Sequence, residues 1–392
     1  MHVPACSCDI DVALNLYMPF DTDLVTTSSD AQAPAKPASN PQLDAALKLL
    51  LEGDFRSRWE ATKQLPTLGT STIAPLVLLV EDEDIEWEVR WFAARTLGNF
   101  TDPEALDSLV RLLAQTCEPE LITIAAEGIS RFGAAGVTAL VQLFKKPSHR
   151  VTAVQALAGI RHKAALSPLL TAAQDINPEI RSAALVALGN FRDPRVDPLL
   201  LKAVKDPASM VRKEAITHLG LRTNLLQTVD LVTILAPSLQ DLNFEVARAT
   251  AIALGRFGTE AAIASLAQAL HSAFTPEPLQ IILARALSWI DQAEALDALL
   301  VARSTVPLVV QLEIIETLPR LETPALRQCA GEALCGWLTQ LLNDADATAI
   351  KQAIALALGD LQPLQAKSLL QTLTQDPDKQ TCLYAEAALR QL

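Results

Sequence analysis

Two tryptophans and the arginines beside them are the residues of this sequence whose types and spacing most favour binding. Arg58 and Trp59 form one cation and indole pair, and Arg90 and Trp91 form a second pair 32 residues further on. Indole and guanidinium groups dominate interaction hot spots, where each joins an apolar surface to a polar or charged edge. We therefore predict a partner-binding patch at Arg58, Trp59, Arg90 and Trp91. Packing of the two indoles into the core is the competing interpretation.

Patterns that would support catalysis or metal binding are missing from the sequence. None of the five histidines is followed by glutamate, which argues against a di-iron centre built from His-Glu pairs. Neither GxGxxG nor GxSxG occurs, so no phosphate loop and no nucleophile elbow is predicted. Cys6 and Cys8 form a CxC pair, but no second Cys or His pair completes a tetrahedral site. We predict no catalytic residue, no metal and no resident cofactor.

The two pairs belong to a pattern that recurs along the chain. The sequence EWEVRWFAARTLGNF at residues 86–100 has related copies at residues 179–191, 210–222, 245–257 and 349–361. Each copy predicts the second helix of a helical hairpin. Small residues admit a neighbouring helix, the apolar residue before the glycine fills the core, and the glycine is expected to end the helix.

That apolar core residue places eleven units in register at intervals of 28 to 40 residues. The core markers are Leu65, Leu97, Ile129, Leu157, Leu188, Leu219, Leu254, Leu287, Leu318, Leu358 and Leu389. Asp-Pro or Thr-Pro steps at Asp102, Asp193 and Thr323 announce first helices, because Asp and Thr cap helix starts and Pro fits the first turn. A single hairpin is too small for a core of its own and must pack on its neighbours. The sequence thus predicts an all-α fold, an α-solenoid forming a right-handed superhelix of about eleven hairpins.

Two domains follow from this register. Residues 40–392 are predicted to form the solenoid, with an extended first helix and a longer turn at residues 333–349. Residues 1–39 are predicted to be a disordered tail, because residues 21–40 are rich in Ser, Thr, Ala and Pro. Within the tail, the favoured interpretation gives the apolar residues 11–20 no separate role, and the alternative is that they dock or act as a short recognition segment.

The repeats resemble HEAT repeats, and specifically the HEAT-like repeats of the phycobilisome lyase family. The similarity rests on VRWFAARTLG at residues 89–98, IRSAALVALG at 180–189 and VRKEAITHLG at 211–220, and it covers residues 40–392. Some members of that family attach linear tetrapyrroles to cysteines of light-harvesting proteins, and others bind, isomerise or remove the pigment or assist assembly. The resemblance therefore implies a bilin ligand and a phycobiliprotein partner.

A cation recurs seven residues before the core marker in six of the units. These residues are Arg58, Arg90, Arg150, Arg181, Arg212 and Lys351. In one interpretation their stems pack along the stack and their charged ends bond to carbonyls or to aspartates such as Asp175 and Asp206. In the other they receive carboxylates from a partner or a pigment. The acidic residues 81–88 likewise form either a solvated helix start or a surface that steers a basic partner.

Composition limits the classes of partner and the compartment. The net charge of −13 argues against a nucleic-acid surface, which needs clustered Lys and Arg. Six cysteines scattered over a long chain are typical of reduced thiols in a cytosol. Apolar runs such as residues 73–80 are too short to span a bilayer. We expect a cytoplasmic protein with no membrane span.

Two functions remain open from the sequence. The leading prediction is a non-catalytic scaffold or assembly factor that holds a protein partner along the concave surface formed by the second helices. The alternative, which rests on the family resemblance, is a phycobilin lyase or chaperone that acts on phycobiliproteins of a light-harvesting antenna.

Overall fold

A computed structural model describes residues 40–160 and 162–392. In this part of the chain 22 α-helices follow one another without a β-strand. The first helices of the hairpins are α1 (Pro41–Glu52), α3 (Ile73–Glu81), α5 (Pro103–Gln115), α7 (Ala134–Phe144), α9 (Leu166–Ala172), α11 (Val196–Ala203), α13 (Leu231–Leu235), α15 (Glu260–His271), α17 (Ala293–Ala302), α19 (Pro324–Leu341) and α21 (Ala366–Leu373). The second helices are α2 (Phe55–Gln64), α4 (Trp87–Leu97), α6 (Pro119–Arg131), α8 (Arg150–Gly159), α10 (Pro178–Gly189), α12 (Ser209–Leu219), α14 (Phe244–Phe257), α16 (Glu277–Ser288), α18 (Leu308–Thr317), α20 (Thr348–Leu361) and α22 (Lys379–Leu389). The predicted α-solenoid of eleven hairpins is confirmed, and we number the hairpins 1 to 11.

The hairpins stack in sequence order without a break. Each second helix contacts the second helix of the next hairpin, from α2 through to α22. Ten of the eleven core markers are almost fully buried, and Leu389 in the last hairpin is partly buried. A single continuous apolar core therefore runs the length of the stack, as expected of hairpins that cannot bury enough surface alone.

The proline steps mark helix starts in two of three cases. Asp102 caps α5 by accepting a hydrogen bond from the Glu104 amide at 2.9 Å, as predicted. Thr323 precedes α19 but does not cap it through its side chain, because its amide and hydroxyl both donate to Asp291 of the previous turn. Asp193 starts a turn instead, and α11 begins only at Val196.

The helices α4 and α12 end directly before Gly98 and Gly220, as predicted, whereas α14 and α20 continue past Gly255 and Gly359. Gly98 and Gly220 keep right-handed helical angles, with φ of −64° and −62°. A Cβ atom on Gly98 would lie 2.8 Å from the Cα of Gly128, and one on Gly220 would lie 2.7 Å from the Cβ of Ala253. Both neighbours belong to the next second helix. These glycines therefore allow consecutive second helices to pack closely.

Hairpin 10 contains the irregularity that its length predicted. Its first helix, α19, has 18 residues and is the longest in the described chain. The predicted tail at residues 1–39, including residues 11–20, lies outside the described residues, and its disorder stays a prediction.

Candidate functional site

The cations that precede the core markers link consecutive hairpins. Arg181 of hairpin 5 donates two hydrogen bonds to the Asp206 carboxylate of hairpin 6, at 2.9 and 2.7 Å. It also donates to the backbone carbonyls of Asp175 and Ile176 in its own turn, at 2.8 and 2.9 Å. The same link recurs as Arg150 with Asp175, Arg212 with Asp241 and Lys351 with Asp376. We call these three pairs and Arg181 with Asp206 the cation ladder.

The ladder is electrostatically satisfied from within the chain. The hydrogen bonds from Arg212 hold the pKa of Asp241 below its usual value, and Asp241 in turn raises the pKa of Arg212. Both groups therefore stay charged over a wide pH range, and Arg212, like Arg181, divides its donors between the next hairpin and the carbonyls of its own turn. The structural interpretation of these recurring cations is confirmed.

Arg58 and Arg90, two of the four predicted site residues, are also engaged within the chain. Arg58 is only 8% exposed and donates to Glu88 at 2.5 Å and to Glu86 at 3.2 Å. Arg90 donates through Nε to the Val80 carbonyl at 3.0 Å. Both side chains fix the turn between α3 and α4, so neither is the cation that accompanies the indoles.

The two predicted tryptophans do come together, around a different arginine. The Cζ atom of Arg95 lies 4.6 Å from the ring centroid of Trp59 and 5.5 Å from that of Trp91. Phe55 stacks on Trp59 with ring centroids 6.2 Å apart and an interplanar angle of 15°. We call Phe55, Trp59, Trp91 and Arg95 the aromatic cluster.

The cluster stands partly on the core and partly in solvent. Phe92 is fully buried beneath it and makes edge contacts with Phe55 at 5.4 Å and with Trp91 at 5.0 Å. Phe55 is 62% exposed, and both indoles are half-buried. The sequence left each tryptophan as either a binding hot spot or a core residue. In the structure each indole packs against the core and is still partly exposed to solvent.

Arg95 is the member of the site that sequence reasoning missed. No carboxylate among residues 40–160 and 162–392 lies within 4.0 Å of its guanidinium, and no hydrogen bond to an acceptor in this part of the chain uses its side-chain donors. The signal was present in the spacing, because Arg95 follows Trp91 by four residues and so shares its helix face. Among the other units only Arg285 places an arginine at that register, so the position did not stand out.

Some of the acidic residues at 81–88 form ion pairs within the chain. Glu86 and Glu88 accept from Arg58, and Glu81 accepts from Arg111 of α5 at 2.5 and 2.8 Å. Glu83 and Asp84 are exposed, and neither takes part in an ion pair within the described chain. The steering role stays a prediction for these two carboxylates.

Titratable groups elsewhere in the described residues form no cluster suited to a metal ion. No group of three His, Cys, Asp or Glu side chains there is arranged to hold a metal ion. Burial raises the pKa of the Cys335 thiol to about 11, which makes it unreactive near neutrality. Cys382 donates to the Asp376 carbonyl at 3.1 Å. The CxC pair at Cys6 and Cys8 lies outside the described residues.

No described helix combines the length and the apolar composition needed to cross a bilayer.

A family comparison agrees with the fold and the repeat register. The chain matches the family model described as HEAT repeats over residues 43–130, 137–220, 198–278 and 232–319. The matched ranges cover well over half of the chain, so it belongs to the HEAT-repeat family. The narrower likeness to phycobilisome lyases has no counterpart among the matches, and no curated protein matches the sequence.

Solved structures of nuclear import receptors share this architecture. Kap95p in a structure with RanGDP superimposes with a TM-score of 0.63 at 15% identity, over 90% of this chain and 55% of that chain. Kap95 in a complex with Nup1 gives 0.62 at 15%, over 90% and 56%. Importin-β gives 0.60 at 14%, over 89% and 55%. The chain spans just over half the length of these proteins, and the likeness shows a common solenoid fold.

Proposed function

We propose that this chain is a non-catalytic protein-binding scaffold of the cytoplasm that holds its partner along the surface formed by the second helices. The aromatic cluster of hairpins 1 and 2 is its primary anchor. The observation that carries the proposal is Arg95, an arginine stacked between two indoles whose hydrogen-bond donors have no acceptor in the described chain.

The cluster suits a partner segment that carries a carboxylate beside an apolar side chain. A guanidinium binds a carboxylate through two parallel hydrogen bonds. Stacking on Trp59 and Trp91 restricts the rotation of Arg95, so little side-chain entropy is lost on binding. Phe55, Arg56 and Trp59 line an open, largely apolar groove of about 250 Å³ next to it, which would take the neighbouring apolar side chain. Protein binding by Kap95p, whose solved structures include RanGDP and Nup1, supports the same use of the fold.

Affinity capture with matched variants tests the proposal. Full-length chain, a W59A/W91A variant and a W289A control are immobilised and exposed to extract of the native host. Trp289 is exposed and lies in hairpin 8, so the control removes a surface indole far from the cluster. We expect wild type and W289A to retain the same protein, and W59A/W91A to lose at least tenfold in affinity for that protein once it is purified, about 1.4 kcal/mol or more.

Thermal unfolding of the same three proteins separates binding from folding. The indoles are half-buried, so the double variant should keep its helical content and lose only a few degrees in Tm. Equal retention by all three proteins would contradict the site. A collapse of Tm in W59A/W91A would assign the indoles to the core.

The alternative, a phycobilin lyase or chaperone acting on a phycobiliprotein, rests on the repeat resemblance alone. Its test is independent of the aromatic cluster. Co-expression of the chain with a phycobiliprotein and a bilin should give covalent colour if the alternative holds, and the scaffold proposal expects none above the level without the chain.

A further inference from the structure

Three apolar side chains project almost fully into solvent from one edge of the solenoid. Ile176, Leu242 and Phe274 are 91%, 105% and 97% exposed, and each lies in the turn between the two helices of its hairpin. They belong to hairpins 5, 7 and 8, and Pro207 occupies the same turn of hairpin 6. Of the other large apolar side chains in the described chain, only Leu364 is exposed to a similar degree. We call Ile176, Pro207, Leu242 and Phe274 the apolar strip.

The cation ladder holds the backbone of the strip in place at hairpins 5, 6 and 7. Arg181 donates to the Ile176 carbonyl at 2.9 Å, and Arg212 donates to the Pro207 carbonyl at 3.0 Å. Arg212 also binds Asp241, the residue before Leu242. The turns are thus fixed before any partner arrives, which reduces the entropic cost of binding to them.

Carboxylates flank the strip at a constant offset. Glu179, Glu245 and Glu277 follow Ile176, Leu242 and Phe274 by three residues each, and all three carboxylates are exposed. Glu245 pairs with Arg248 of its own helix, whereas Glu179 and Glu277 have no ion pair in the described chain. The edge therefore combines apolar side chains with negative charge. This combination disfavours a membrane surface, whose headgroups are commonly anionic, and favours a basic protein segment.

The distance between successive turns of the strip indicates whether the bound segment is a helix or a strand. Neighbouring packed helices lie about 10 Å apart, so successive turns of the strip are about 10 Å apart as well. Seven residues of an α-helix rise about 10.5 Å and return to the same face. Three residues of a β-strand span a similar distance but end on the opposite face. A helix of about 20 residues with an apolar side chain at every seventh position matches all four turns.

We propose that the apolar strip and its glutamates dock a basic amphipathic helix of a partner protein, with one apolar side chain entering at each hairpin. This surface is distinct from the aromatic cluster and extends the proposed function to a second contact.

Fluorescence anisotropy with designed peptides tests the proposal on the full chain. The probe is a fluorescein-labelled 22-residue peptide of Lys and Ala with Leu at positions 1, 8, 15 and 22, one for each turn of the strip. One control peptide replaces every Lys with Glu, and another moves Leu to every fifth position. We expect the first peptide to bind at least tenfold more tightly than either control. Equal binding of the Lys peptides would overturn the spacing argument.

Three variants of the chain locate the binding. I176S/L242S/F274S should lose at least tenfold in affinity for the probe, and E179Q/E277Q should lose about fivefold together with part of the salt dependence. L221S/L364S, which changes exposed apolar residues on the opposite edge, should bind as wild type does. Unchanged affinity in both strip variants would overturn the proposal and indicate general attraction to an acidic protein.

Vesicles of phosphatidylcholine provide the last comparison. We expect no retention of the chain on them. Retention of wild type but not of I176S/L242S/F274S would overturn the protein partner in favour of lipid. All substituted side chains are exposed, so urea unfolding midpoints should match that of wild type, and E179Q/E277Q keeps the test valid if the triple variant does not fold.

Discussion

Two arginines of the same solenoid show opposite uses of one side chain. Arg212 in hairpin 6 binds Asp241 of the next hairpin through two hydrogen bonds and the carbonyls of Asp206 and Pro207 through two more. Arg95 in hairpin 2 is stacked on Trp59 and Trp91, and no acceptor in the described chain takes its side-chain donors. An arginine with four of its five N–H donors engaged within the chain is part of the framework, whereas one that is positioned but unpaired is available to a ligand.

The largest expected effect comes from replacing each of these two arginines by methionine. Arg212→Met leaves the largely buried carboxylate of Asp241 without its partner and should lower the free energy of unfolding by about 3 kcal/mol. Arg95→Met removes only a partly exposed cation-π contact and should cost less than about 1 kcal/mol. Urea unfolding followed by far-UV circular dichroism measures both. Similar losses in the two variants would show that the arginines do not differ in role.

A second test compares two glycines that differ in the space around them. Gly220→Ala places a methyl group against Ala253 of the next second helix and should destabilise the chain by about 2 kcal/mol. Gly336 lies within α19, where an added methyl group would meet no neighbouring side chain or helix within 4 Å, so Gly336→Ala should stabilise by up to about 1 kcal/mol. Opposite signs in the unfolding midpoint are the expected result. Two losses of equal size would contradict close packing as the reason for Gly220.

The smallest expected effect is a pH dependence of the local stability of hairpins 5 and 6. Burial lowers the pKa of His218, whose ring lies against Gly189 and whose Nε2 has no hydrogen-bond partner in the described chain. The folded state thus favours neutral imidazole, and the stability from this residue is full above a pH of about 6.5 and decreases below it. Hydrogen exchange between pH 7 and about pH 5 should show hairpins 5 and 6 loosening before hairpins 1 and 2. His218→Gln should remove this difference, and its persistence in that variant would assign the pH effect to other groups.

The sequence predicts this fold well because the fold is periodic. The same core position recurs in each hairpin, for example at Leu97, Leu188 and Leu254. Its side chain is buried in almost every hairpin. The repeat similarly announced the cation ladder and named Asp175 and Asp206 among its acceptors, although it did not assign an acceptor to each cation. That acceptor lies 25 to 29 residues further along the chain and becomes visible only in three dimensions.

The candidate site was less predictable because it depends on Arg95, a residue that the repeat pattern does not mark. Arg58 and Arg90 attracted attention through their recurrence, yet recurrence is the property of a framework residue. Arg95 stands at a repeat position where most hairpins have no arginine. Its proposed function follows from its contacts with the rings of Trp59 and Trp91, which belong to different hairpins. The repeated glycines misled in part for a related reason. A glycine at a helix end is consistent both with a left-handed cap, as at Gly258, and with close packing, as at Gly220.

The cation ladder and the main helix contacts share one property: each joins a hairpin of the described chain to the next hairpin along the stack. A small rotation at each interface between hairpins therefore adds up to a large change in the distance between the two ends, at little cost per interface. For the proposed scaffold, this elasticity would accommodate partners of somewhat different length.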